Sequence, residues 1–314
     1  MSEIKCISLS DMRQVEIKES TILCLGNFDG VHRAHQALLK RTIELCHRSA
    51  TDAKCGVFCF REPSWIFLSD HPSEFLCTVE QKLQYFRDAG IDYAFVADFP
   101  ALKTLSPSAF IQTILKDKCR AIGVVCGFNY RFGIHGSGTP TDLSTEFGNN
   151  AVVEQEIRLD GEVISSTQIR SLLKAGHIRT ANRMLGRAYS LTAKVVHGKS
   201  LGKKLGAPTI NQSFPPDMLI PRCGVYVSQC LVAGKIYRGV SNIGRHPTID
   251  QNATVNCETY LIDFQGDLYD IDLTIEFLHF LREEKRFASS DELAKQIQAD
   301  VKAACEWKET EAVI

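Results

Sequence analysis

The chain has 314 residues, of which 44% are apolar and 23% charged, the balance of an ordinary globular protein with enough chain for two cores. Lys and Arg number 36 against 37 Asp and Glu, a formal net charge of -1. No basic excess points to nucleic acid or to an anionic membrane, and neither is expected as a partner.

Residues 1–20 are polar and charged, without an apolar signal core. The longest apolar runs, such as 121–126, are too short to span a bilayer. Twelve cysteines are scattered singly and form no C-x-x-C pair. They read as reduced, buried thiols of a cytoplasmic protein rather than as a disulfide or zinc framework.

In chain order, residues 22–26 form a short apolar strand. Residues 35–47 follow with Leu38, Leu39, Ile43 and Leu45 at helical spacing. Residues 54–60 read as a buried strand. Thr78-x-x-Gln81 is a capping box that opens a helix, and Gly90 closes it. Residues 92–99 are a strand, Ser106-Pro107 starts a helix over 108–116, and 121–127 are the next strand. Strands alternating with helices predict a parallel, doubly wound sheet with helices on both faces. Such sheets bind ligands beyond the carboxyl ends of their strands, here the loops after Gly26 and Cys126.

From Arg187 the texture changes. Residues 189–197, 225–232, 235–242, 256–263 and 268–277 are strand-like, with turns at Ala233-Gly234 and Gln265-Gly266-Asp267. Consecutive hairpins without helices predict an antiparallel barrel. Ser289-x-x-Glu292 then caps a final helix with Leu293, Ile297 and Val301 on one face. Two domains are expected, 1–185 and 186–314.

Several stretches carry chemistry. Gly26-Asn27-Phe28-Asp29-Gly30-Val31-His32 follows the first strand and leads, with His35, into the first helix. A helix N-terminus presents unpaired N–H groups, and two imidazoles three residues apart there can both donate to phosphate oxygens. Gly127-Phe128-Asn129-Tyr130-Arg131-Phe132-Gly133 sits at another strand's carboxyl end, where Asn129 and Arg131 offer donors. Ser165-Ser166-Thr167-Gln168-Ile169-Arg170 opens a later helix and reads as an anion cradle. In the second half, residues 197–211 hold Gly198, Gly202 and Gly206 with three lysines, Lys203 among them, a plausible phosphate-binding loop. Thr209 and Asn211 follow on one side of an extended segment, and their hard oxygens suit Mg. Glu258 lies in a strand, on the face of Tyr260 and Ile262, where a carboxylate can serve as general base for a hydroxyl.

The N-terminal motifs resemble the FAD synthetase module of the bacterial bifunctional riboflavin kinase/FAD synthetase family. That family carries G-x-F-D-G-V-H-x-G-H and an I-S-S-T-x-I-R segment, which residues 164–170 match without change. The C-terminal half resembles the family's riboflavin kinase module. Its G-x-x-L-G-R-x-L-G-F-P-T-A-N pattern appears at residues 198–211, and Gly224-Val225-Tyr226, Asn242-Ile243-Gly244 and Leu281-Arg282 also fit. The resemblance implies an α/β chain with an N-terminal Rossmann-like nucleotidylyltransferase domain, then a six-stranded antiparallel β-barrel kinase domain with a terminal helix. It implies phosphorylation of riboflavin to FMN in the second domain and adenylylation of FMN to FAD, with release of pyrophosphate, in the first.

By the same resemblance, Gly26, Phe28, Asp29 and Gly30 with His32 and His35 take ATP, Asn129 lies in that active site, and Ser166, Thr167 and Arg170 hold the triphosphate. Gly198, Gly202, Lys203 and Gly206 take ATP in the kinase, with Mg on Thr209 and Asn211 and Glu258 as base. Arg282 and Phe287 belong to the flavin pocket. Small molecules (riboflavin, FMN and ATP) are the expected partners, and oligomeric state is not legible. Two departures stand out: Ala34 replaces the glycine between the histidines, and residues 60–64 match the family's P-H-P-like segment poorly. They leave open a chain that keeps only the kinase. A flavin-responsive regulator is the further alternative.

Overall fold

The computed structural model describes residues 4–9, 17–62, 67, 74–197, 209–246 and 254–308. By packing, the chain falls into two compact units, Met1–Ser166 and Thr167–Ile314.

In the first unit six strands, β1 (Lys5–Ser8), β2 (Thr21–Leu25), β3 (Lys54–Phe60), β4 (Tyr93–Ala97), β5 (Ala121–Gly127) and β6 (Ala151–Glu154), form a sheet in the order β1-β4-β3-β2-β5-β6. Every neighbouring pair is parallel. All five residues of β2 and of β4 are buried, as central strands covered on both faces require. One face carries the cluster around Leu23, Phe58, Phe95 and Ile114, the other that around Cys24, Leu39, Val57 and Phe86. Chain order runs outward in both directions from β2, toward β3 on one side and β5 on the other. The switch point of the sheet therefore falls between β2 and β5.

Helix α1 (Arg33–Arg48) follows β2 and helix α2 (Val79–Asp88) precedes β4. The capping box read at Thr78 is present: Gln81 N donates to Thr78 Oγ1 at 3.2 Å, and Thr78 N to Gln81 Oε1 at 3.0 Å. Ser106 Oγ accepts from Ala109 N at 3.2 Å and starts Pro107–Ala109, which runs on into wider π turns over Phe110–Lys118. A two-stranded hairpin, β7 (Arg158–Leu159) and β8 (Glu162–Val163), turns at Asp160 and Gly161, both at positive φ.

In the second unit helices Ser166–Ala175 and Ile178–Leu185 precede a curled sheet. Its strands are β9 (Tyr189–Lys194), β10 (Thr209–Ser213), β11 (Gly224–Val232), β12 (Lys235–His246), β13 (Thr254–Leu261) and β14 (Asp272–Arg282), in the order β10-β13-β12-β11-β14-β9, antiparallel throughout. The two end strands meet at the bridge Val196–Asn211, where Val196 N donates to Asn211 O at 2.8 Å. Two register shifts between β11 and β14 supply curl. The hydroxyls of Ser228, Ser241 and Thr259, none of them exposed, form one chain of 2.7 Å contacts on the inner face. The last expected strand begins later than its pattern indicates: β14 covers Asp272–Arg282 rather than 268–277. Ser289 caps the final helix, Ser290–Glu306, by accepting from Glu292 N at 3.2 Å.

Candidate active sites

In the first unit the switch point brings two of the expected loops together. β2 and β5 pair up to Leu25 and Cys126, so the chain after Gly26 and the chain after Gly127 leave from adjacent strand ends. The first loop is held tightly. Asp29, 1% exposed, accepts from Leu76 N at 2.8 Å through Oδ1, and its carbonyl accepts from Ser166 Oγ at 2.9 Å. Gly30 N–H donates to the Cys77 sulfur at 3.2 Å. Gly30 adopts φ 75°, where glycine is at ease, but Phe28 and Val31 also take positive φ, 52° and 37°. A β-branched residue in that region is strained, and such strain persists where surrounding contacts over-determine it.

His32 is buried and forms the N-cap of α1: its Nδ1 accepts from His35 N at 3.4 Å, which puts the proton of the neutral ring on Nε2. The two imidazoles stack with centroids 3.7 Å apart and planes at 13°. The Phe28 ring lies 5.0 Å from His35 and edge-on to Phe86 at 5.3 Å. Gly26 leaves room for that ring, since a Cβ there would come within 3.1 Å of it. Such a pair of donor rings at a helix N-terminus is suited to polyphosphate.

Asn129 stands exposed in the turn after β5, which is closed by Tyr130 N donating to Gly127 O at 3.0 Å. Two glycines of this loop serve packing. A Cβ on Gly133 would strike Pro107, and one on Gly138 would strike the Phe132 ring. Thr167 is exposed and Arg170 half-buried in helix Ser166–Ala175 of the second unit.

In the barrel the register assembles the other site. Asn211 of β10 pairs with Glu258 of β13, and Glu258 pairs with Asn242 of β12. The three side chains thus form one transverse row, on the face opposite the hydroxyl chain, at the ~5 Å spacing of paired residues. Thr209 stands one step along the same face, paired with Tyr260. Gly198, Gly202, Lys203 and Gly206 lie outside the described residues, but the stems of their segment are fixed beside this row by the Val196–Asn211 bridge. His197 stacks on Tyr269 at 3.8 Å at the first stem. Arg282 is engaged by Asp300 of the final helix, with Nε 3.0 Å from Oδ1 and Nη2 2.7 Å from Oδ2, and donates through Nη1 to Glu283 O. Phe287 is half-buried in the connection to that helix.

Sequence reasoning passed over three residues at these places. Asn242 was read as part of a motif but not as a site residue. Its Nδ2 lies 3.4 Å from Glu284 Oε1, and the Glu284 carboxylate sits over Gly244. Lys82 is 2% exposed and donates to carbonyls at the ends of β2 and β3. The available signal was a lysine one turn from Phe86, on the apolar stripe of α2.

These features define a class: a parallel-sheet unit with a polar strand-to-helix loop at its switch point, and an antiparallel barrel with a transverse row of polar side chains. Comparison with known proteins gives the family. Residues 14–168 match the FAD synthetase family model and residues 185–308 the riboflavin kinase model. The bifunctional riboflavin kinase/FMN adenylyltransferase of Pseudomonas fluorescens is 36% identical over 296 residues, covering 90% of this chain and 91% of the relative. Its namesakes from Escherichia coli K12 and Bacillus subtilis are 32% and 30% identical, each covering 92% of this chain and 93% of the relative. A crystal structure from Streptococcus pneumoniae titled as a macrolide-efflux protein superposes with a TM-score of 0.88 at 26% identity, covering 97% of this chain and all of that one. What passes from that likeness to this chain is the fold. The chain belongs to the bifunctional riboflavin kinase/FMN adenylyltransferase family and carries both enzymatic domains. ATP and flavins are accordingly its substrates.

Proposed function

We propose that the chain makes FMN in the barrel and FAD at the switch point of the parallel sheet, with the two halves dividing at 185/186. The family-model limits, 14–168 and 185–308, support that division, and helices Ser166–Ala175 and Ile178–Leu185 would serve as the connection.

In the kinase, Glu258 takes the proton of the riboflavin 5'-hydroxyl as its oxygen attacks the γ-phosphorus of ATP, and ADP leaves. The observation that carries this reading is the Asn211–Glu258–Asn242 row. Among the described residues no three His, Cys, Asp or Glu side chains converge on a metal position. A magnesium ion would instead be held by the Thr209 and Asn211 oxygens together with nucleotide phosphates, where it supplies charge neutralisation. Gly198, Gly202, Lys203 and Gly206 would cradle those phosphates, and Arg282 and Phe287 would border the flavin.

In the adenylyltransferase, an FMN phosphate oxygen attacks the α-phosphorus of ATP and pyrophosphate leaves. Charge gathers on the phosphoryl oxygens, where His32 and His35 stand ready as donors. Gly26, Phe28, Asp29 and Gly30 shape that end of the site, and Asn129 and Ser166 contribute further donors. No covalent enzyme intermediate is required.

The protein is placed in the cytoplasm. All twelve cysteines are unpaired, and burial pushes up the thiols of Cys126, to about 12, and of Cys257, to about 11. Among the described residues no helix is long and apolar enough to cross a membrane.

Chromatography of flavins formed from riboflavin or FMN with Mg-ATP tests the assignment. Glu258→Gln is expected to lose ~100-fold or more of FMN formation while still converting supplied FMN to FAD. The double variant His32→Ala, His35→Ala is expected to do the reverse. Parental rates in either variant would remove those residues from the mechanism.

A further inference from the structure

We propose that Lys82 is a positioning residue for adenylyl transfer, clamping the ATP loop through its main chain. The inference rests on the adenylyltransferase site proposed above.

Lys82 is the fourth residue of α2 and is 2% exposed. Its Nζ donates to Asn27 O at 3.1 Å and to Phe60 O at 3.4 Å. Asn27 lies between Gly26 and Phe28 in the loop after β2, and Phe60 is the last residue of β3. The ammonium thus ties together the carboxyl ends of two neighbouring strands. On its far side the Phe60–Arg61 peptide is anchored too, because Arg61 N donates to Ala97 O at the end of β4 at 2.9 Å. Phe86, one helical turn after Lys82, meets the Phe28 ring. Helix α2 therefore grips the loop twice, by side chain at Phe28 and by main chain at Asn27.

Such a clamp has a task here. A planar trans peptide fixes the Phe28 N–H opposite to the Asn27 carbonyl, so whatever holds one orients the other. The same loop carries the positive φ angles at Phe28 and Val31 immediately before His32. Released, it has every reason to relax, and the imidazoles follow the chain that carries them. Packing alone does not call for an ammonium. Methionine fills similar space without the cost of desolvating a charge. What Lys82 Nζ holds is main chain, the carbonyls of Asn27 and Phe60.

The test uses the full chain and steady-state FAD formation from FMN and Mg-ATP. For K82M, kcat/KM for ATP is expected to fall about 10-fold or more, with KM for FMN and the riboflavin kinase rate both within about twofold of the parent. K82R, which keeps charge and donors, is expected to recover part of the loss. If K82M fails to fold, K82Q is read by the same criteria. A folded neutral variant with parental kcat/KM for ATP overturns the inference. So does one in which KM for ATP and FMN rise by the same factor with K82R no better, since the lysine then serves packing alone. A parent chain that makes no FAD overturns the adenylyltransferase reading and the inference with it. A parent that makes FAD beside an equally active K82M overturns the inference alone.

Discussion

Ala34 is the departure nearest the proposed nucleotide site. It is the second residue of α1, between His32, whose ring caps the helix, and His35, whose ring stacks on it. A methyl group there limits how closely a phosphate oxygen can approach the main chain. The position is helical, so glycine also costs up to ~1 kcal/mol of helix stability. Ala34→Gly is expected to raise FAD formation from FMN or leave it unchanged, with FMN formation by the barrel unaltered. A loss of FAD formation at an unchanged melting temperature would show that the methyl is needed where it stands. At this scale the histidine pair was legible from its spacing and its place before a helix. The burial of Asp29 and the hydrogen bond that its carbonyl accepts from Ser166, 137 residues away, were not, because no local pattern encodes a partner at that distance.

Among the elements, the final helix shows how a proposed site residue and a structural pair coincide. Leu293, Ile297 and Val301 mark its apolar face, yet the same face carries Asp300, 5% exposed, paired with Arg282 and with Gln296 Nε2 at 2.9 Å. Removing one partner leaves a largely buried guanidinium without its charge partner, and such losses run to about 3 kcal/mol. Asp300→Ala is therefore expected to lower the urea midpoint by that order. It should also raise KM for riboflavin more than KM for ATP if Arg282 borders the flavin. Equal changes in both would leave Arg282 a purely structural residue. The helix was readable from its cap and periodicity. The ion pair was not, because a carboxylate on an apolar stripe names no partner until β14 is in place.

For the whole molecule, the relation of the connecting helices to the barrel is a matter of packing rather than motif. Ile178, Ala181, Met184 and Leu185 are each no more than 1% exposed. Asn182 bridges Phe277 O and Tyr189 N, each at 2.8 Å. Arg222 N also donates to Leu173 O of the preceding helix at 3.0 Å. A fragment of residues 186–314 retains the residues assigned to the kinase but loses these contacts. A fragment of residues 167–314 keeps them. The longer fragment is expected to be more stable to urea by at least about 3 kcal/mol, given what burial of a few aliphatic side chains contributes. Coincident unfolding curves would show that the two helices add nothing to the barrel.

By itself the sequence determined the parallel texture of the first half, the antiparallel texture of the second and the capped helices, and it put forward the candidate site residues. These are signals of short range: period, caps, turn residues and motif spacing, each decided within a dozen residues. The edge strands β1 and β6 were missed because four residues, mostly exposed in β1 and half-buried in β6, carry little periodicity. Only the tertiary structure decided that the loops after β2 and β5 leave from paired strand ends. It alone lined up Asn211, Glu258 and Asn242 across three strands, and gave Gly133 and Gly138 to packing rather than to a ligand. Lys82 belongs to the same group: it reads as one more lysine of a charged helix until the ends of β2 and β3 close around its ammonium. Register and burial are set by partners far away in the chain, and a side chain's chemistry follows from the partners that the fold supplies.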